Sequence, residues 1–190
     1  MPRSWARRTA QYCVPVPPDI SALTALIRDI PDFPKPGIMF KDITPLLGDG
    51  PAWVATIEML AALNDGGGVD RVVGIEARGF LVGAAVAFSL GVGFVPLRKP
   101  AKLPFHTTSV SYSLEYGTET LEMHTDAVRP GDRVLIVDDV LATGGTAAAA
   151  VQLVRGAGAT VVGASFLLEL TFLHGRVQLP GVPVSSLITY

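Results

Sequence analysis

Short apolar, β-branched stretches alternate with longer Ala- and Leu-rich stretches along this chain. Arg71 to Ile75, Val92 to Leu97, Val134 to Val137 and Val161 to Leu168 have the length and residue types of buried strands. Pro51 to Leu63, Gly79 to Leu90 and Thr146 to Gly156 read as helices; the first has proline in its first turn and is ended by Gly66, Gly67 and Gly68. Asp19 to Ile30 reads as a further helix, capped by Asp19 or Ser21, with Leu23, Leu26, Ile27 and Ile30 on one face. This alternation predicts an α/β fold: a mainly parallel twisted sheet with helices on both faces, built from right-handed βαβ crossovers.

Two segments depart from that rhythm. Pro31 to Leu47 carries Pro31, Pro34, Pro36 and Pro45 and reads as an irregular loop. Lys99 to Gly117 is polar and aromatic without helical periodicity. Loops this long in a compact domain are usually binding loops or lids. The expected organisation is one domain over residues 19–190, with no internal repeat, after a disordered tail over residues 1–18. That tail holds Arg3, Arg7 and Arg8 and no acid before Asp19, like a transit peptide, but Pro15, Pro17 and Pro18 break any helix and no apolar core follows the arginines.

Composition narrows the function classes. Of 190 residues 49% are hydrophobic and 17% charged, which excludes a disordered chain. The net charge of −2 offers no basic footprint for duplex nucleic acid. A single cysteine, Cys13, excludes an internal disulfide framework and a Cys-rich zinc site, and a reducing cytoplasm is the expected compartment. No charge occurs between Arg78 and Arg98, a length near that of a membrane span. Gly91, Gly93 and Pro96 divide it, so helix, turn and strand are expected there instead. His124 and His174 have no partners at metal-ligand spacing and read as surface or helix-end residues.

The most informative stretch is Val134 to Ala150. It reads as a strand, the acidic pair Asp138 and Asp139, a small-residue loop, and a helix start. In an open parallel sheet, ligands bind beyond the carboxyl ends of strands. Backbone N–H groups of Ala142, Thr143, Gly144, Gly145 and Thr146 at a helix start suit an anion, and Thr143 and Thr146 add hydroxyl donors. No lysine follows as in GxxxxGK[ST], and GxGxxG is absent, so neither nucleotide fingerprint is met. A phosphate beside two carboxylates suits a phosphorylated sugar, with Asp138 and Asp139 accepting from vicinal hydroxyls. A helix cap chosen only for its turn would also fit, but adjacent acids at a buried strand end cost desolvation unless they are liganded.

This stretch resembles the phosphoribosyl-diphosphate (PRPP) motif of type I phosphoribosyltransferases. Further matches lie at Pro34 to Pro45, Gly74-Ile-Glu-Ala-Arg-Gly-Phe80, Arg98 to Pro104 with Ser113-Leu-Glu-Tyr-Gly117, and Leu168-Glu-Leu-Thr171. In order and spacing they resemble the adenine phosphoribosyltransferase family over about residues 19–190. The resemblance implies the type I fold with a small hood near 31–47 and a lid near 98–117. It also implies a pentosyltransferase of purine salvage, which converts adenine and PRPP into AMP and diphosphate.

Residue roles follow from the same resemblance. Ala142 to Thr146 would cradle the 5′-phosphate, and Asp138 and Asp139 the ribose hydroxyls. Glu76, Ala77 and Arg78 would form the diphosphate loop, with a strained, cis-competent peptide before Arg78 and with Arg98 and Lys102 arriving from the lid. Lys99 and His106 are weaker members of that cluster. Arg78 and Glu115 would be catalytic, Glu115 by acid–base work at the purine; read without the resemblance, it is a solvated loop glutamate. Tyr116 would contact the bound substrates. Backbone groups of Met39 and Lys41 would read the adenine edge, and Phe40 and Leu170 would cover its faces.

Mg²⁺ would be held through substrate oxygens, with Asp138 or Asp139 touching it directly or through water. A homodimer, without nucleic acid or membrane partners, is implied. Departures are Lys41 where arginine is common and Phe105-His106 where the lid usually has small residues. A phosphoribosyltransferase for another base, or a non-enzymatic PRPP-binding regulator, stands as the alternative.

Overall fold

The computed structural model describes residues 19–64, 68–114 and 117–190. The tail over 1–18, Gly66, Gly67, Glu115 and Tyr116 lie outside the described residues. The chain divides into two compact units, with the boundary between Ala55 and Thr56.

In the first unit, helix α1 covers Ile20–Ala25, and Asp19 caps it by accepting from the Ala22 amide at 2.9 Å. The helix stops well short of Ile30. Strand β1 (Arg28–Ile30) follows and pairs antiparallel with β2 (Phe40–Asp42). Two local forces favour the strand over the longer helix expected. Ile30 precedes Pro31, whose ring disfavours helical backbone at the residue before it. The register also sets Arg28 opposite Asp42 and Asp29 opposite Lys41. Both pairs form ion pairs, at 3.6 and 2.6 Å. The proline-rich segment is therefore less irregular than expected, since it contains β2 and most of α2 (Thr44–Gly48). Helix α3 (Gly50–Ala62) begins in this unit, with Pro51 in its first turn.

The second unit holds the sheet. Strands β3 (Arg71–Ile75), β4 (Gly93–Leu97), β7 (Arg133–Leu141), β8 (Thr160–Glu169) and β9 (Val184–Thr189) stand in the order β4-β3-β7-β8-β9, all parallel. Pro96 is tolerated because β4 is an edge strand. Helix α5 (Gly145–Gly156) packs Ala147, Ala150, Val151 and Val154 against Val73, Ile75, Val134 and Ile136. Helix α4 (Arg78–Leu90) covers the opposite face, with Gly83 seated over Gly74, Val137 and the Phe94 ring. Helices on both faces of a parallel sheet are the expected architecture.

The uncharged stretch between Arg78 and Arg98 is α4, a turn at Gly91 with φ 69°, and β4. Among the described residues no helix is long and apolar enough to cross a membrane.

The second long loop is a hairpin. Strand β5 (Thr107–Leu114) pairs antiparallel with β6 (Gly117–His124), while Leu121 and Met123 enter the α5-side core. Its period is two, which explains the missing helical pattern. His124 is not a surface residue: it is half-buried, its ring lies edge-on to Phe105, and Nε2 is buried without a hydrogen-bond partner among the described residues. His174 stands between two 3₁₀ turns in left-handed backbone, with φ 54°.

Ile136 lies at the centre of this packing and is fully buried. Ile136→Ala should lower the unfolding free energy by about 2–5 kcal/mol through lost burial and an unfilled cavity, as read from urea melts.

Candidate active site

Strand β7 reaches farther than its apolar stretch. Asp138 pairs in register with Phe166, Val140 with Leu168, and Leu141 with Glu169, so the acidic pair lies inside the strand rather than after it. The two carboxyl groups still lie close enough to interact with each other. Asp138 lines an open cleft of about 320 Å³ with Val140 to Gly144, Thr146 and Ala147. Asp139, buried, accepts from Nε of Arg78 in the first turn of α4. The α4 backbone at Gly79 lies directly against the Asp138 carboxyl. Burial first, and the Asp139 charge second, push the Asp138 carboxyl well above the usual carboxylate range.

The cleft wall opens α5. Gly144 is its N-cap in left-handed backbone, φ 85°, and no side chain caps the helix. Amides at such a start carry the positive end of the helix dipole and suit an anion. Oγ1 of Thr146 donates to the Tyr112 hydroxyl at 3.2 Å. Tyr112 in turn donates to Glu119 at 3.1 Å, and Lys99 holds the other Glu119 oxygen at 3.1 Å. Burial, then Glu119, raise the Tyr112 hydroxyl pKa against the lowering effect of Thr146. The sequence reading missed Tyr112; its signal was the two-residue alternation of β5.

A second uncapped helix start lies at α4, after a cis peptide between Glu76 and Ala77. Glu76 is a hub. It accepts from Lys102 Nζ at 2.7 Å, from Arg98 Nε and Nη2 at 3.2 and 3.3 Å, and from the Lys99 amide at 3.0 Å. Lys102 foremost, then Arg98, hold its carboxyl down at about 2. Arg98 also sits 6.0 Å over the Phe80 ring centroid, within cation–π range. The cations expected to face a diphosphate are thus gathered by one carboxylate.

In the first unit, Met39 is exposed, Phe40 packs edge-on against Phe33 at 5.1 Å, and Lys41 is paired with Asp29. In the second unit, the Leu170 amide donates to the Leu141 carbonyl at 2.9 Å, beside the cleft. Glu115 and Tyr116 fall outside the described residues.

Comparison with known proteins bears on this geometry. Residues 47–170 match the phosphoribosyl transferase domain model. The adenine phosphoribosyltransferase of Acidothermus cellulolyticus is 60% identical over 173 residues, which cover 90% of this chain and 98% of that protein. This chain belongs to the adenine phosphoribosyltransferase family. The adenine phosphoribosyltransferase structure from Thermoanaerobacter pseudethanolicus superposes with a TM-score of 0.89 at 55% identity, over 90% of this chain and 99% of that one. The Saccharomyces cerevisiae adenine phosphoribosyltransferase structure gives a TM-score of 0.84 at 39% identity, over 88% and 97%. Family membership makes the chain a member of a pentosyltransferase family with the type I fold.

The Glu76 hub yields a pH prediction. Its folded pKa is depressed, so its contribution to stability is complete above the ordinary glutamate range and is lost as pH falls through about 2. Glu76→Gln removes that contribution at all pH values. The stability gap between wild type and Glu76→Gln should therefore be largest near neutrality and narrow steadily below about pH 4. Urea melts across that range would show it.

Proposed function

We propose that this chain transfers the phosphoribosyl group of PRPP to adenine, giving AMP and diphosphate, as a step of purine salvage. The observation that carries this reading is the β7–α5 junction, where an uncapped helix start and a carboxylate line one cleft. The yeast relative was crystallised with adenine and an imino-altritol bisphosphate.

Amides of Ala142 to Thr146 and the hydroxyls of Thr143 and Thr146 bind the 5′-phosphate, and Asp138 accepts from a ribose hydroxyl in the same cleft. Asp139 orients Arg78 toward the diphosphate and accepts from the second hydroxyl. Arg98 and Lys102, held close by Glu76, neutralise the leaving diphosphate. Adenine N9 attacks C1′ as the C1′–diphosphate bond breaks, through an oxocarbenium-like sugar with inversion. Bound geometry and neutralised charge supply most of the rate. The base contacts assigned to Met39, Phe40, Lys41 and Leu170, and the acid–base role of Glu115, belong to the same proposal.

The donor set fits Mg²⁺. Among the described residues no group of three or more His, Cys, Asp or Glu forms a cage. The neighbouring carboxylates Asp138 and Asp139 suit a hard ion that keeps water and phosphate ligands. Bound there, it supplies positive charge to the diphosphate oxygens. We also assign a homodimer, supported by exposed Leu81 and Phe88 seven residues apart on α4, and a cytoplasmic location.

The test is AMP formation from labelled adenine, with PRPP or Mg²⁺ withheld and with guanine, xanthine and orotate as competitors. AMP formed only in the complete mixture and unaffected by the competitors supports the reading; no AMP, or preferred use of another base, overturns it. Asp139→Asn should raise KM for PRPP about tenfold or more while moving KM for adenine little, because it removes a charge-assisted contact on the sugar side. Steady-state kinetics with each substrate varied would show it, and equal rises in both would count against the assignment.

A further inference from the structure

The phosphate turn does not hold its shape alone. A Cβ at Gly144 would collide with the Gly175 carbonyl oxygen, and a Cβ at Gly175 would collide with the Ala142 carbonyl oxygen. Two backbones therefore touch reciprocally, at a distance that leaves no room for a methyl group on either side. Gly175 opens the 3₁₀ turn Gly175–Gln178, 30 residues after Gly145 opens α5.

That turn is anchored by Arg176. Its Nε and Nη2 donate to the two Glu169 oxygens at 2.6 Å each, and Nη1 donates to the Val184 carbonyl at 2.8 Å. Such a fork is both strong and directional. Glu169 is itself fixed: it ends β8, lies in register with Leu141 at the end of β7, and its side chain is 5% exposed. The carbonyl of Glu169 accepts from the Tyr190 amide at 2.9 Å. The last turn of the sheet therefore reaches the phosphate turn through one ion pair.

We propose that Glu169, Arg176 and Gly175 are positioning residues for the 5′-phosphate: the ion pair presses the Gly175 backbone against Ala142 and Gly144 and fixes the amides that bind the anion. None of the three lines the cleft. A purely structural role would weaken the whole unit. A buttress on one turn weakens the phosphate monoester site and spares the diphosphate site at α4. Arg176 holds the Glu169 carboxyl below the usual range, so the pair is intact at neutral pH.

The inference rests on the proposed function, and the experiment separates the two. Ribose 5-phosphate and inorganic diphosphate, each with Mg²⁺, are titrated calorimetrically into the full-length wild type, Gly175→Ala, Glu169→Gln, Arg176→Met and Arg176→Lys. Wild type that fails to bind ribose 5-phosphate overturns the functional reading and this inference with it. Given wild-type binding, Gly175→Ala should weaken ribose 5-phosphate at least tenfold and diphosphate less than twofold. Glu169→Gln and Arg176→Met should show the same selectivity, and Arg176→Lys should recover part of the loss. Unchanged ribose 5-phosphate binding, or equal loss of both ligands across the variants, overturns the buttress. Should Gly175→Ala not fold, the two Arg176 variants decide the matter alone.

Discussion

The site depends on setting a helix start that no side chain caps next to two carboxyl groups. Helix-start amides attract oxygen acceptors, and the Asp138 and Asp139 carboxyl groups lie only a few residues upstream. An open turn of this kind would be filled by the nearest side-chain oxygen if one could reach. Asp139 is engaged instead by Arg78. Asp138 remains in the cleft, held by the rigid central strand against the α4 backbone at Gly79. Position in β7, rather than residue type alone, keeps donor and acceptor apart.

The same logic governs the cations. Arg98 and Lys102, free on a loop, would sample many rotamers and lose that freedom on meeting substrate. Glu76 gathers both, and the Arg98–Glu122 backbone bridge ties the start of the loop to β6. A carboxylate among groups proposed to meet an anion looks counterproductive. Its effect is to reduce the entropy lost on ordering while the net charge of the cluster stays positive, because one acid serves two side-chain cations.

Much of this was legible in the residues. Strand β7 and helix α5 stood out because a β-branched run, two acids and a glycine turn follow each other directly. Helix α4 was readable through its Ala- and Gly-rich face, although the same lack of charge resembled a membrane span. Harder to read was anything set by partners distant in sequence. Arg28 to Ile30 carries a helical apolar spacing, and only pairing with Phe40 to Asp42 makes it a strand. The hairpin hid in polar alternation. Strand β9 was missed because Ser185 and Ser186 give it a polar look, while its role is to edge the sheet beside β8. Arg176 had no local signal at all; its partner Glu169 lies across a turn, and Gly175 matters only through what a methyl group would strike.

The proposed chemistry also explains why the two anion sites are built so differently. The 5′-phosphate is unchanged by the reaction, so the site proposed for it gains from stiffness: backbone amides between the central strand and a helix, with a second backbone wedged behind them. Diphosphate must be held in the transition state and then let go. The site proposed for it uses long side chains, with Lys102 48% and Arg98 32% exposed, on a segment joined to a hairpin rather than to the sheet centre. Contacts through flexible, solvated cations are individually weak and break one at a time. A donor site made wholly of buried amides would bind the leaving group as firmly as the sugar and slow its release. The division between rigid main chain and mobile cations therefore matches the division between the group that stays and the group that departs.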